Sequence, residues 1–432
     1  MRKYSEYKNS DVPWIGNIPS HWNIQRGKNV LTLLDRPILD TDDVITCFRD
    51  GEVTLRKNRR EEGFTLSFQE IGYQGIEPGD LVVHGMDGFA GAIGVSDSRG
   101  KATPVLNVMD SIHNKRFLMY YLRTAAYKDV FMSLSTGIRV RSCDLRWNKL
   151  SVFPFVLPER EEQDRIAEYI DNKLLQINNI ISEAKASIEE YKAWKASIIY
   201  EAVTKGLDPN VEMKDSGVEW IGKMPSNWNV CKTLFALSMP ITDGPHTTPE
   251  LYDFGVPFIS AEAVSCGKKG RIAFDHMRGY ISEEFYQECS QKYVPQVNDI
   301  YMIKSGATTG RVAFVDTDIK FTIWSPLAVF RSNPKRMYYK YLFYFLQSDA
   351  FQKQVELGWT YGTQQNIGMR TLEKLKICMP PLTEQKEIAD VLDRKCDDID
   401  TLIEEKELLV ADLESYKKSL IFEVVTGKRK VV

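Results

Sequence analysis

The chain states one plan twice, and that repetition constrains its fold more than any other feature. Residues 8–24 read KNSDVPWIGNIPSHWNI and residues 214–230 read KDSGVEWIGKMPSNWNV, a spacing of 206. A second echo pairs Glu162-Gln163-Asp164-Arg165-Ile166-Ala167 with Glu384-Gln385-Lys386-Glu387-Ile388-Ala389, a spacing of 222. The second copy has therefore gained a net 16 residues between the two echoes. A chain of 432 residues exceeds what one hydrophobic core organises, so tandem halves with a core each are expected. Halves with matching ends and diverged centres suit a protein that reads two different things at a fixed separation.

Hydrophobic residues make up 43% of the chain, enough for globular cores, yet every apolar run is short and broken by charge. The sequence therefore predicts no transmembrane helix, and the opening MRKYSEYKNSD lacks the apolar stretch of a signal peptide. Seven scattered cysteines form no C-x-x-C pair, which reads as free thiols in a reducing compartment and argues against structural zinc. The net charge of −3 is unevenly spread: residues 1–157 carry +3, 158–205 carry −3, 206–380 carry +1 and 381–432 carry −4. The centres are thus the more basic parts, and a locally basic face is what a phosphate-binding surface needs.

Each half runs in the same order: a Trp/Pro-rich opening, a mixed centre and a long helix. Trp14, Trp22, Trp220 and Trp228 are expected to pin the openings to their cores. In the centres, residues 79–83 and 297–303 read as a turn and a strand, followed by glycine-rich loops at 85–91 and 305–310. Further strands are expected at 92–95 and 312–315, and helical stretches at 117–130 and 338–355. The fold class is therefore α+β, with segments 1–157, 158–207, 208–380 and 381–432 alternating between mixed modules and helices.

The helical tails carry heptads. Ile170, Ile177 and Ile198 fall on one seam and Leu174, Ile181 and Ile188 on its companion. Shifted by 222, Leu392, Ile399, Leu413 and Leu420 face Ile403 and Val410 in the same pattern. Such seams indicate coiled-coil helices from just after Pro158 or Pro380-Pro381 to Thr204 or Thr426. About 45 residues give an arm of roughly 65 Å. Lys195 and Lys417 interrupt both seams at the same place, either to set register or to snorkel. Antiparallel pairing within the chain would create a pseudo-twofold; pairing between two chains is the competing arrangement.

These residues resemble the specificity subunits of type I restriction-modification systems (HsdS) over essentially the whole chain. The resemblance rests on W-I-G-x-x-P-x-x-W at 14–22 and 220–228, and on the proline-to-helix junctions at 158–163 and 380–385. It also rests on the closing YEAVTKG and FEVVTG, and on Ile241-Thr242-Asp243-Gly244-Pro245-His246-Thr247-Thr248-Pro249. It implies two tandem α+β target recognition domains separated by two long antiparallel helices, in a pseudo-twofold internal repeat. Each domain would read one half of a split, asymmetric site in double-stranded DNA. The helices would set the spacing and dock two methyltransferase subunits, with restriction/translocase subunits completing the complex. S-adenosylmethionine, ATP and Mg2+ would sit on those partners, none on this chain, in the cytoplasm of a prokaryote. The halves differ where the second has Gly362-Thr363-Gln364-Gln365-Asn366-Ile367 and the first has Gly137-Ile138-Arg139-Val140-Arg141.

Base edges are read by Arg or Lys on guanine and by Asn or Gln on adenine, while basic groups hold phosphates. In the first centre the candidates are Arg56, Lys57, Asn58, Arg59 and Arg60, the densest basic run, against a solvated charged loop. Arg139 and Arg141 alternate and would share a face if extended, with Ser135 and Thr136 beside them. In the second centre Thr363, Gln364, Gln365 and Asn366 suit adenine, against a self-capped turn. Lys268, Lys269 and Arg271 resemble a phosphate clamp. Asp243 and His246 lie in a Gly/Pro turn, where an isolated His reads as structural.

Enzyme signatures are missing: no amino-methyltransferase N/D-P-P-Y/F/W, no P-loop, HExxH or G-x-S-x-G occurs, and no metal site is expected. Glu183-Ala184-Lys185 and Glu404-Glu405-Lys406 imitate a nuclease E-x-K on helices where such pairs are ordinary surface charge. The alternatives to DNA reading are a coiled-coil scaffold without DNA binding, or an enzyme with an unrecognised active site. Partner docking is expected on the faces of residues 159–163 and 384–387.

Overall fold

The computed structural model describes residues 2–59, 70–133, 145–361 and 365–431. It contains two compact units. The first joins Met1–Ala184 to Leu408–Val432, and the second is Lys185–Glu407. Each unit holds one α+β module and a share of both long helices, Arg160–Lys205 and Leu382–Val425.

Each module opens on an antiparallel hairpin, Tyr7–Asn9 with Asn17–Pro19 and Met213–Asp215 with Lys223–Pro225. The repeated W-I-G has a backbone cause: Gly16 and Gly222 sit at φ +72° and +69°, in the left-handed region that a side chain disfavours. Trp22 and Trp228 are fully buried, the packing role their repetition suggests. The next strand pairs with the one that ends the module, Asn23–Arg26 with Pro154–Leu157 and Asn229–Lys232 with Lys376–Met379. That pairing brings both ends of each module together at the start of a long helix.

The module centre is a four-stranded antiparallel sheet. In the first unit its order is Thr32–Leu33, Leu106–Asp110, Leu81–His84, Ile93–Val95. In the second it is Thr242–Asp243, Leu327–Phe330, Ile300–Ile303, Val312–Phe314. Alternating side chains supply two cores. Leu81 and Val83 join the cluster shared with the helices, while Val82 joins a smaller outer one. Ile300 and Met302 divide from Tyr301 and Ile303 in the same way. Before each of these strands the chain turns through a left-handed residue, Gly79 or Asn298, and then buries an aspartate. Asp80 accepts from Arg36 and from the Glu77 amide. Asp299 accepts from Arg331, Tyr293 and the Gln296 amide.

The expected helix of the first centre is Lys115–Tyr127. The stretch expected at 338–355 is instead two helices, Tyr339–Gln347 and Asp349–Leu357. Ser348 separates them with ψ 150°, and its hydroxyl donates back to the Phe345 carbonyl at 2.7 Å. A serine that bonds its own backbone competes with the helical ladder, which apolar periodicity does not register.

Matched contacts fasten each module to a long helix. Asp171 accepts from Tyr120 and pairs with Arg116, and Asp393 accepts from Tyr344 and Lys340. The repeated Gln is a buried staple. Gln163 accepts from the Asn114 amide and donates to the Pro158 carbonyl; Gln385 accepts from the Tyr338 amide and donates to the carbonyls of Pro380 and Arg336. Gln385→Ala is expected to cost about 1–3 kcal/mol, because it leaves buried backbone groups unpaired. Urea unfolding of the variant measures this.

The long helices pair antiparallel. Within the second unit Ile188 packs on Ile399 and Ile403, whereas Ile199 shares a cluster with Leu392 and Ile388. In the first unit Ile170, Ile177 and Ile181 are buried with Leu420, and Leu174, Val410 and Leu413 pack against them partly exposed. The buried position steps from the expected Ile198 to Ile199, the drift of a 3.6-residue turn against a seven-residue repeat. The seam lysines differ. Lys195 reaches Asp400 on the facing helix at 2.6 Å, but Lys417 reaches only Glu414 on its own helix, because Asn178 stands where the repeat would place an aspartate. Lys195→Met should therefore cost about 1–2 kcal/mol, while Lys417→Met stays within about 0.5 kcal/mol. Comparison of their denaturant midpoints checks this. No helix among the described residues is long and apolar enough to cross a membrane.

Candidate nucleic-acid interface

The same backbone junction occurs in both modules. In the first unit, strand Leu81–His84 runs into the glycine-rich loop, and the Leu145 amide donates to the Gly85 carbonyl at 2.8 Å. Asn107 fixes the junction by donating to the carbonyls of Leu145 and Val83. In the second unit, strand Ile300–Ile303 runs into its own glycine-rich loop, and the Ile367 amide donates to the Lys304 carbonyl at 2.9 Å. Leu145 and Ile367 are 222 residues apart, and Gly85 and Lys304 are 219 apart. Leu145 and Ile367 thus join equivalent glycine loops in the two modules.

In the second unit this join continues outward. The Gly306 amide donates to the Gln365 carbonyl at 3.0 Å, and Ser305 forms an antiparallel bridge with Asn366. Gln365 and Asn366 are exposed. Their amides therefore stand beside a loop whose Gly306 and Gly310 adopt φ +101° and +95°. In the first loop His84 Nδ1 accepts from the amides of Met86 and Asp87, and Asp87 pairs with Arg49 at 2.9 Å. Burial holds the His84 pKa below its ordinary value, consistent with a neutral, accepting ring.

The other candidates fall elsewhere. Arg60, Ser135, Thr136, Arg139, Arg141, Thr363 and Gln364 lie outside the described residues. Arg56–Asn58 form a short turn after strand Val53–Leu55. Lys57 pairs there with Asp43, Arg59 pairs with Asp50 and Glu52, and Asn58 donates to Thr54. Arg56 donates to Thr46. Within the densest basic run, Lys57 and Arg59 are therefore matched by local acids. Lys268 and Lys269 face Glu404 and Asp397 on the second long helix, each at 3.6 Å, and Arg271 pairs with Asp316 at 3.2 Å. The two lysines line a cavity of about 500 Å3 whose walls carry both signs of charge. The docking faces expected at 159–163 and 384–387 are narrower than the sequence suggests. Gln163 and Gln385 are buried, Glu162 accepts from Tyr4 and bonds His21, and Glu384 accepts from Trp228.

Sequence reasoning missed one group of charges around Asp243. Lys292 and Lys304 reach this buried carboxylate from distant positions, and neither stands in a motif that marks it. Among the described residues no group of His, Cys, Asp or Glu is arranged to hold a metal ion.

Residues 246–410 match the family model described as the type I restriction modification DNA specificity domain. The chain is 25% identical over 340 residues to the type I restriction enzyme MjaVIII specificity subunit of Methanocaldococcus jannaschii, covering 77% of this chain and 76% of that one. Its fold is similar to a chain from a structure of complex assembly and conformational transition in the type I R-M system, with TM-score 0.67, 15% identity and 94% and 98% of the two chains covered. It is also similar to the HsdS subunit from Thermoanaerobacter tengcongensis, with TM-score 0.51, 16% identity and coverage of 95% and 98%. The repeated α+β modules and the paired long helices agree with these likenesses: the chain resembles type I restriction-modification specificity subunits in sequence and fold, and its residues 246–410 match their DNA specificity domain.

Proposed function

We propose that this chain gives a type I restriction-modification complex its DNA sequence specificity, each unit reading one half of a split, asymmetric duplex site. The observation that carries this reading is the repeated backbone junction at Gly85 and Lys304, equivalent in the two modules but flanked by different sequences. Equivalent placement supports a common task, and different residues support different half-sites. Exposed Gln365 and Asn366 have the donor-acceptor pairs that adenine requires. The long helices fix the gap between half-sites and dock two methyltransferase subunits carrying S-adenosylmethionine. The faces left for that docking include exposed Glu159, Glu161, Lys386 and Glu387. Restriction/translocase subunits using ATP and Mg2+ complete the assembly, in the cytoplasm of a prokaryote.

Methylome sequencing tests this in cells that express the methyltransferase partner with or without this chain. A split, asymmetric methylated motif that disappears with the chain is the expected result. An unchanged methylome, despite a co-purifying complex, would overturn the reading and favour a scaffold that does not bind DNA.

A further inference from the structure

Asp243 ends the edge strand Thr242–Asp243 and is only 1% exposed. Three cationic or protonatable side chains converge on it from three parts of the chain. Lys292 Nζ donates to Oδ1. Lys304 Nζ lies 3.3 Å and His246 Nε2 3.4 Å from Oδ2, which takes no well-aligned hydrogen bond from the described residues. Burial alone would raise the Asp243 pKa, but the two lysines outweigh it and hold the carboxyl below its ordinary range. An ionised carboxylate sealed from water is costly unless such partners surround it.

The arrangement is one-sided. The acid is sealed, whereas the side chains of Lys292 and His246 are 51% and 75% exposed. Lys304 is the residue whose carbonyl receives Ile367, so the carboxylate also ties this charge group to the loop that carries Gln365 and Asn366. A cavity of about 190 Å3 opens beside Asp243 and Lys292, with Thr247 and Thr322 on its wall. That is several times the roughly 30 Å3 share of one water molecule. Glu288 also lines it, so net charge does not make the case; the outward position of the cations does. Among the described residues the first unit has no such group at the equivalent place. The aspartate at the same sheet register, Asp35, is exposed, and Gly85 stands where the second unit has Lys304.

We infer that Lys292 and His246 form a phosphate anchor for the DNA backbone at the second half-site, with Asp243 as the positioning residue that aligns them. This rests on the proposed reading of DNA by the second unit. It takes the role expected of Lys268, Lys269 and Arg271, which are turned towards acids. Such an anchor fixes the register of the duplex against Gln365 and Asn366 without itself reading sequence.

The test uses the complex of this chain with its methyltransferase partners, on duplexes with and without the site defined by the methylome, titrated over a series of KCl concentrations. Lys292→Ala should weaken both duplexes by the same factor and reduce the slope of log K against log[KCl] by about 1, the signature of one lost phosphate contact. His246→Ala should likewise weaken both equally. Asp243→Asn is diagnostic because it removes a negative charge. Electrostatics alone would tighten binding, whereas loss of positioning weakens it. Slopes unchanged in Lys292→Ala and His246→Ala, with specificity lost on replacing Gln365 and Asn366, would overturn the anchor and leave the reading of DNA standing. No site preference in the unsubstituted complex would overturn both.

Discussion

Replacing Asp299 with alanine is expected to lower the stability of the second unit by about 3–5 kcal/mol. Three groups converge on this carboxylate, which is 1% exposed. Arg331 donates to each oxygen at 2.7 Å, the Tyr293 hydroxyl donates to Oδ2, and so does the Gln296 amide at 2.9 Å. Tyr293 in turn bonds Tyr301, which is fully buried beneath the sheet. Alanine would leave a guanidinium, a phenol and an amide without their acceptor at the head of the central strand. That penalty is far larger than the modest net gain of the bonds themselves. Asp80→Ala in the first unit should cost less, because Asp80 serves only Arg36 and the Glu77 amide among the contacts described. Urea unfolding followed by tryptophan fluorescence would rank the two; equal losses would refute the network argument.

Alanine at both Gln365 and Asn366 should have the largest functional effect. Each good amide contact to adenine discriminates by about 1–3 kcal/mol, so losing two should reduce preference for the proper site by roughly 30-fold or more. Non-specific affinity and its salt slope should stay unchanged, because neither residue carries charge. The fold should also hold, since both side chains are exposed and the junction uses the backbone of Gln365 and Ile367. A fall in binding to every duplex alike would assign these residues to backbone positioning. Competition binding on matched and scrambled duplexes separates the outcomes.

Much of this was legible in the sequence because repetition reports on backbone need. The two W-I-G turns, the two buried tryptophans and the heptad seams recur for reasons that hold in both halves. The repeated Gln163 and Gln385 were visible as a pattern, but their task was not: a buried amide staple and an exposed docking residue look alike until burial is known. Ser348 ended a helix through its own hydroxyl, a local contact that apolar spacing ignores. Lys268 and Lys269 looked like a phosphate clamp because their partners, Glu404 and Asp397, are more than a hundred residues away. Long-range charge pairing also hid the task of Asp243, whose lysine partners are Lys292 and Lys304. Within the candidate site, residue chemistry singles out the amide segment as a candidate, while the junction of Gln365 and Asn366 with the glycine loop required the fold.

The discontinuous first unit has a consequence for synthesis. Its opening hairpin is closed by the far end of the chain: the Lys430 amide donates to the Arg2 carbonyl, Lys428 donates to Asn17, and Gly427 packs where any side chain would strike Pro19. A ribosome that makes about 5–20 residues per second therefore releases the first module long before its closing helix exists. The second unit is contiguous and is available to fold first, so the half made first is the half completed last. In that interval the first module exposes the apolar surface that later receives Leu420, Ile421, Val424 and Val425. A nonsense codon in the last 25 residues, Leu408–Val432, would damage the beginning of the protein and spare its middle.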